Sequence, residues 1–131
     1  MKNFHTDLES VFKEALDLRD KGDLAGAIRI LRELSELHPN IPPVLGMLAG
    51  IYYLNGDMKN AADYFKRTIV LSPKSETASR GLFHALFAME RIDEAFDEMR
   101  RFTAIAHSEH YDAIIKEFSE EYDRQSRDES S

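Results

Sequence analysis

A 34-residue period constrains this chain more than any other feature. The stretch from Pro42 to Pro73, shifted back by 34, lays Gly56-Asp57 on Gly22-Asp23, Ala61 on Ala27, Phe65 on Leu31 and Pro73 on Pro39. Shifted forward, it lays Leu48 on Leu82, Ala61 on Ala95 and Phe65 on Met99. A helical unit of this length cannot bury its apolar face alone, so copies stack on one another. The expected fold class is all-α: an α-α superhelix (solenoid) of three helix hairpins plus a C-terminal capping helix.

In the first copy, Thr6-Asp7-Leu8-Glu9 has the form of a capping box, which predicts a helix start. Leu8, Val11, Phe12, Ala15 and Leu18 follow at helical spacing. Gly22 permits the left-handed conformation that ends a helix, Asp23 can cap the next one, and Leu24, Ala27, Ile28, Leu31, Leu34 and Leu37 form the second stripe. Glu14 stands where later copies have Leu48 and Leu82. No preceding repeat packs there, so a charge is tolerated.

The second copy opens on Pro42-Pro43, which suits a first helical turn, and turns at Asn55-Gly56-Asp57. Its positions Leu45, Leu48, Ala49, Tyr52, Gly56-Asp57, Ala61, Phe65, Thr68 and Pro73 reproduce the pattern of bulky, Leu, small, aromatic, Gly-Asp, Ala, aromatic, small, Pro. In this the chain resembles the tetratricopeptide-repeat (TPR) family. It departs from the family at Leu45, where Trp is common, and at Thr68, where Ala is usual. In the third copy Ser75 caps a helix, and Met89-Glu90-Arg91 replaces the glycine turn, which predicts a strained left-handed residue. Residues 1–7 are then a lead-in, the repeats span 8–41, 42–75 and 76–107, a capping helix spans 108–124, and 125–131 form a disordered tail. The capping helix carries Tyr111, Ile114, Ile115, Phe118 and Tyr122 on one face and an acidic opposite face.

The resemblance implies a right-handed superhelix whose first helices line a concave groove, and a non-catalytic role in holding a peptide or helix of another protein, as an adaptor, chaperone or inhibitor. Mapped onto this sequence, the groove positions are Phe12, Leu16 and Arg19 from the first copy, Gly46, Met47, Gly50, Tyr53 and Leu54 from the second, and Arg80, His84 and Phe87 from the third. Glu9, Pro43 and Thr77 also fall on this face. A mid-helix glycine costs roughly 0.8–1.0 kcal/mol relative to alanine, so Gly46 and Gly50 require a reason. They either leave a floor for a partner or let helices of the stack approach. The family's clamp for a C-terminal carboxylate uses Lys and Asn, and here Arg80 has no such Asn beside it. Secretion chaperones of the family are similar in size and acidity. The alternative role is a homodimer formed through the terminal repeat edge or the capping helix.

Composition narrows the classes further. A net charge of −7 argues against nucleic acid as partner, because phosphate binding needs clustered cations. The absence of cysteine removes disulfides, thiolate metal sites and cysteine nucleophiles. No secretory leader or membrane-length apolar run is seen, so a cytoplasmic protein without membrane insertion is expected. His107 and His110, near Glu109 and Asp112, read as a solvated pair at a helix start rather than a metal site, and no cofactor or catalytic residue is expected.

Overall fold

The computed structural model describes residues 4–130, which form seven helices and, among the described residues, no strand. They are α1 (Phe4–Asp20), α2 (Leu24–Leu37), α3 (Pro42–Leu54), α4 (Met58–Leu71), α5 (Glu76–Ala88), α6 (Ile92–Thr103) and α7 (Glu109–Ser130). Each helix from α1 to α6 packs on its sequence neighbours, and α3 also touches α5, so the hairpins stack into an α-helical repeat superhelix. Among the described residues, no helix is long and apolar enough to cross a membrane. Met1–Asn3 and Ser131 lie outside the described residues, so the ends of the predicted lead-in and tail do too.

The period governs packing residue by residue. Ala27, Ala61 and Ala95, one per second helix, are fully buried where the two helices of each hairpin approach. Leu31, Phe65 and Met99 fill the next turn of the same helices. Leu48 and Leu82 are buried, while Glu14, at the matching position of the first hairpin, is exposed. Burying such an apolar side chain contributes roughly 1.5–3 kcal/mol, which makes these stacked positions the main source of stability.

The turns repeat as well. Gly22 (φ +85°), Gly56 (φ +80°) and Glu90 (φ +62°) lie 34 residues apart, and all three are left-handed. In each turn the following amide reaches back five residues: Asp23 N–H to Leu18 O at 2.8 Å, Asp57 N–H to Tyr52 O at 2.9 Å, and Arg91 N–H to Leu86 O at 2.9 Å. Asp23 and Asp57 then cap the next helix, accepting the amides of Gly26 (2.9 Å) and Asn60 (3.2 Å). Ser75 does the same for Ala78 at 3.2 Å.

Three expectations change. Helix α1 begins at Phe4, so Thr6 lies inside it rather than at its start. At the other end α7 stays helical to Ser130, where a tail was expected from residue 125. Only the beginning of α7 serves as a lid: Tyr111 is fully buried and Ile114 partly so, whereas Ile115, Phe118 and Tyr122 remain exposed. The apolar stripe is longer than the stack it closes.

Candidate functional site

Two adjoining cavities open on the face made by the first helices of the hairpins. The larger, about 560 Å³, is walled by Phe12 and Arg19 of α1, by Pro43, Gly46, Met47, Gly50 and Leu54 of α3, and by Thr77 and Ala78 of α5. Phe65 and Thr68 of α4 also line it, reached between the first helices. The second, about 370 Å³, is lined by Gly50, Tyr53, Phe65, Thr77, Arg80, Gly81 and His84. The cavities meet at Gly50, Phe65 and Thr77.

The glycines of this face differ in what they permit. A Cβ at Gly81 would lie 2.3 Å from the tip of the Phe65 ring, so where α5 approaches α4 any larger residue would force that ring to shift. At Gly46 a Cβ would meet only Thr68 Cγ2, at 3.7 Å, an ordinary contact. At Gly50 it would meet nothing within 4 Å. Close helix packing therefore accounts for Gly81 but not for Gly50. Thr68, which stands where the small residue of the pattern is expected, is buried with its hydroxyl donating to Tyr64 O at 2.8 Å.

Most of the groove residues named from the sequence border these cavities. Leu16 and Phe87 line neither: Leu16 is half-buried on α1, and Phe87 stacks on Phe83 with ring centroids 5.9 Å apart. Two cations flank the site. Arg19 donates to Met47 Sδ at 3.2 Å and pairs with Asp20 at 3.0 Å. Arg80 stands 3.9 Å from Glu76. Thr68 and Phe65 were not anticipated as lining residues, because their spacing marks them as core. The signal was indirect: two glycines on the helix above uncover what lies beneath.

His84 is engaged differently from the sequence reading. Its Nε2 lies 2.8 Å from Nε2 of His110 on α7, with the rings tilted at 62°. Burial, then His110 and Arg80, push the His84 pKa down. Burial and Arg80 do the same to His110, opposed by Glu76. His110 is thus a half-buried contact between helices rather than a solvated residue, while exposed His107 pairs with Asp112 at 2.7 Å. Among the described residues, no three His, Cys, Asp or Glu gather to hold a metal.

A buried polar node beside this pair was not anticipated. Ser79 donates to Glu98 Oε2 at 2.6 Å, which leaves the Tyr111 hydroxyl to donate to Ser79 Oγ at 2.7 Å. Arg101 forks onto both oxygens of Glu98, each at 2.7 Å, and reaches Pro73 O at 3.0 Å. Ser108 caps α7 through the Tyr111 amide (3.1 Å) and donates to Glu76 at 2.9 Å. Together these bonds fix the start of α7 to α5 and α6.

No protein-family model matches the chain. It is 27% identical over 108 residues to a lipoyl synthase of Mannheimia succiniciproducens, a match covering 82% of this chain but about a third (34%) of that relative's length. Among solved structures, MamA is 30% identical, with a TM-score of 0.66 over 70% of this chain and 53% of its own. The first TPR of Spaghetti (RPAP3), bound to the HSP90 peptide SRMEEVD, superposes with a TM-score of 0.75 over 88% of this chain and 92% of its own at 15% identity.

Proposed function

We propose, from the premise that this chain is a tetratricopeptide-repeat protein, that it is a non-catalytic binding module holding a peptide or helix of another protein on the face of α1, α3 and α5. The observation that carries this reading is Gly50. It is a mid-helix glycine with open space above it, at the junction of two cavities whose larger member is lined mainly by apolar side chains. A glycine that weakens its helix without serving the stack is explained by a partner lying close to it. The RPAP3 neighbour was solved with a peptide, in keeping with a peptide or helix as occupant here.

Binding rather than catalysis fits how the polar groups are used. Ser75 Oγ caps α5, Thr68 Oγ1 is turned to its own helix, and His84 Nε2 is taken by His110. Arg19 and Arg80 are suited to an acidic side chain or carboxylate of the partner, though without the Asn of the family's carboxylate clamp. We infer for the module a cytoplasmic adaptor, chaperone or inhibitor-type role.

The test fills the groove without disturbing the stack. Gly50→Leu places a side chain where a Cβ meets no neighbour. It is expected to abolish capture of the native partner from source-cell extract, with helicity by circular dichroism unchanged. A photocrosslinker at Met47 should label that partner, whereas one at Val70, outside the cavity lining, should not. Undiminished capture by Gly50→Leu refutes the site.

A further inference from the structure

We infer that the exposed face of α7 is a second docking surface, which takes a basic amphipathic helix of another protein in the place where a second helix would complete a fourth hairpin. The register points to this. Shifted by 33, Ser108-Glu109 falls on Ser75-Glu76, and both serines accept the amide three residues on, Tyr111 at 3.1 Å and Ala78 at 3.2 Å. Helix α7 therefore starts as α5 does. On the same shift Ile115 and Phe118 occupy the positions of Leu82 and Ala85, which are buried in a hairpin where α6 packs on α5.

On α7 that covering helix is missing among the described residues. Ile115 is 43% exposed, Phe118 47% and Tyr122 71%. A turn like the one after α5 would fall near Tyr122, but α7 passes that point and continues to Ser130. With Phe96 and Met99 of α6, these side chains line a groove of about 720 Å³. Phe118 packs edge-on against Phe96 at 5.2 Å and fixes its floor. A trough between two helices, lined by aromatic and aliphatic side chains, fits an amphipathic helix with anchors at helical spacing.

Charge selects the kind of helix. Glu121 and Asp123 stand on the rim of the groove, in a chain of net charge −7. Glu121 is paired with Arg124 of the same helix at 3.1 Å, so Asp123 is the rim carboxylate left to meet a cation of the partner. A second copy of the chain would bring the same carboxylates against this rim, where like charges disfavour it. A partner helix with Lys or Arg beside its apolar stripe satisfies both features.

The full chain can be titrated with two synthetic 18-residue helical peptides that share one leucine stripe and differ only in Lys or Glu flanks. The Lys peptide is expected to bind at least tenfold more tightly than the Glu peptide and to shift the amide resonances of Phe96, Ile115 and Phe118. Phe118→Asp and the more exposed Tyr122→Asp should each weaken it at least tenfold, although both add negative charge. Groove-filling Gly50→Leu should leave it unchanged, which separates this surface from the face of α1, α3 and α5. Equal binding of the two peptides, or tighter binding to the Asp variants, would overturn the proposal. So would a dimer, seen by sedimentation, that Tyr122→Asp dissolves.

Discussion

His84 and His110 face each other across the α5–α7 contact, Nε2 to Nε2 at 2.8 Å, and such a pair needs at least one neutral ring, because one nitrogen must accept. Arg80 acts on both rings against charging, Glu76 favours the charged form of His110, and burial depresses both pKa values. For a histidine, a depressed value means that the unfolded chain binds the proton more readily. The pair's contribution is therefore fully present above the ordinary value of 6.5 and is lost as pH falls below it toward the folded-state values. Thermal unfolding followed from pH 8 to pH 5 should show this decline. His110→Ala should lower stability near neutral pH by about 1 kcal/mol and flatten the dependence. An unaltered slope in the variant would assign the decline to other groups.

Gly50 and Gly81 should respond to alanine with opposite signs. Gly50 has open space above it, so Gly50→Ala gains helix propensity with no clash and should stabilise by about 0.8–1.0 kcal/mol. Gly81→Ala drives a methyl to 2.3 Å from the Phe65 ring and should destabilise by about 1–3 kcal/mol through overpacking. Urea unfolding midpoints read both. A stable Gly50→Ala protein with weakened partner binding would separate the needs of function from those of folding at one residue.

The order of helices was legible because the small residue, the bulky residue and the turn recur every 34 positions, and periodicity survives even where identity is lost. Ala27, Ala61 and Ala95 carry that message, and so does Glu90, which keeps the turn geometry without the glycine. The node under α7 was harder to read. Ser79 and Glu98 stand where the preceding copy has Leu45 and Tyr64, so two core positions turn polar together. That paired change was the available signal, but neither residue alone differs from a solvated one. The candidate groove was legible to the extent that it depends on which helix faces inward. Its depth was not, because it depends on what Gly46 and Gly50 leave uncovered on α4, a property of three helices at once.

The node itself should be sensitive to loss of one partner. Glu98 is buried, and its two oxygens are satisfied by Arg101 and Ser79. Arg101→Ala leaves that carboxylate undercompensated and should cost about 1.5–3 kcal/mol, the range for hydrogen bonds to charged groups. The same node holds the Tyr111 phenol, whose pKa is pushed up to about 12, chiefly by burial. Since the folded value is raised, the neutral phenol contributes stability that is present below the ordinary value of 10 and is lost as pH rises toward 12. Ultraviolet titration should find one of the five tyrosines ionising last, and Tyr111→Phe should remove that late step.

Glu90 offers the sharpest test of the repeat itself. It adopts φ +62° at the position where the first two copies place Gly22 and Gly56, and its amide makes the matching bond, to Phe87 O at 3.0 Å. A residue with a Cβ is disfavoured there by about 1–2 kcal/mol, whereas glycine is not. Glu90→Gly also loosens the unfolded chain, which offsets part of the gain. The net expectation is a stabilisation of up to about 1 kcal/mol, read as a higher urea midpoint with an unchanged slope. Glu90→Val, which keeps the Cβ and adds branching, should shift the midpoint the other way. If both variants destabilised, the left-handed turn would not be the source of strain, and the carboxylate of Glu90 would have to be stabilising the hairpin by another route.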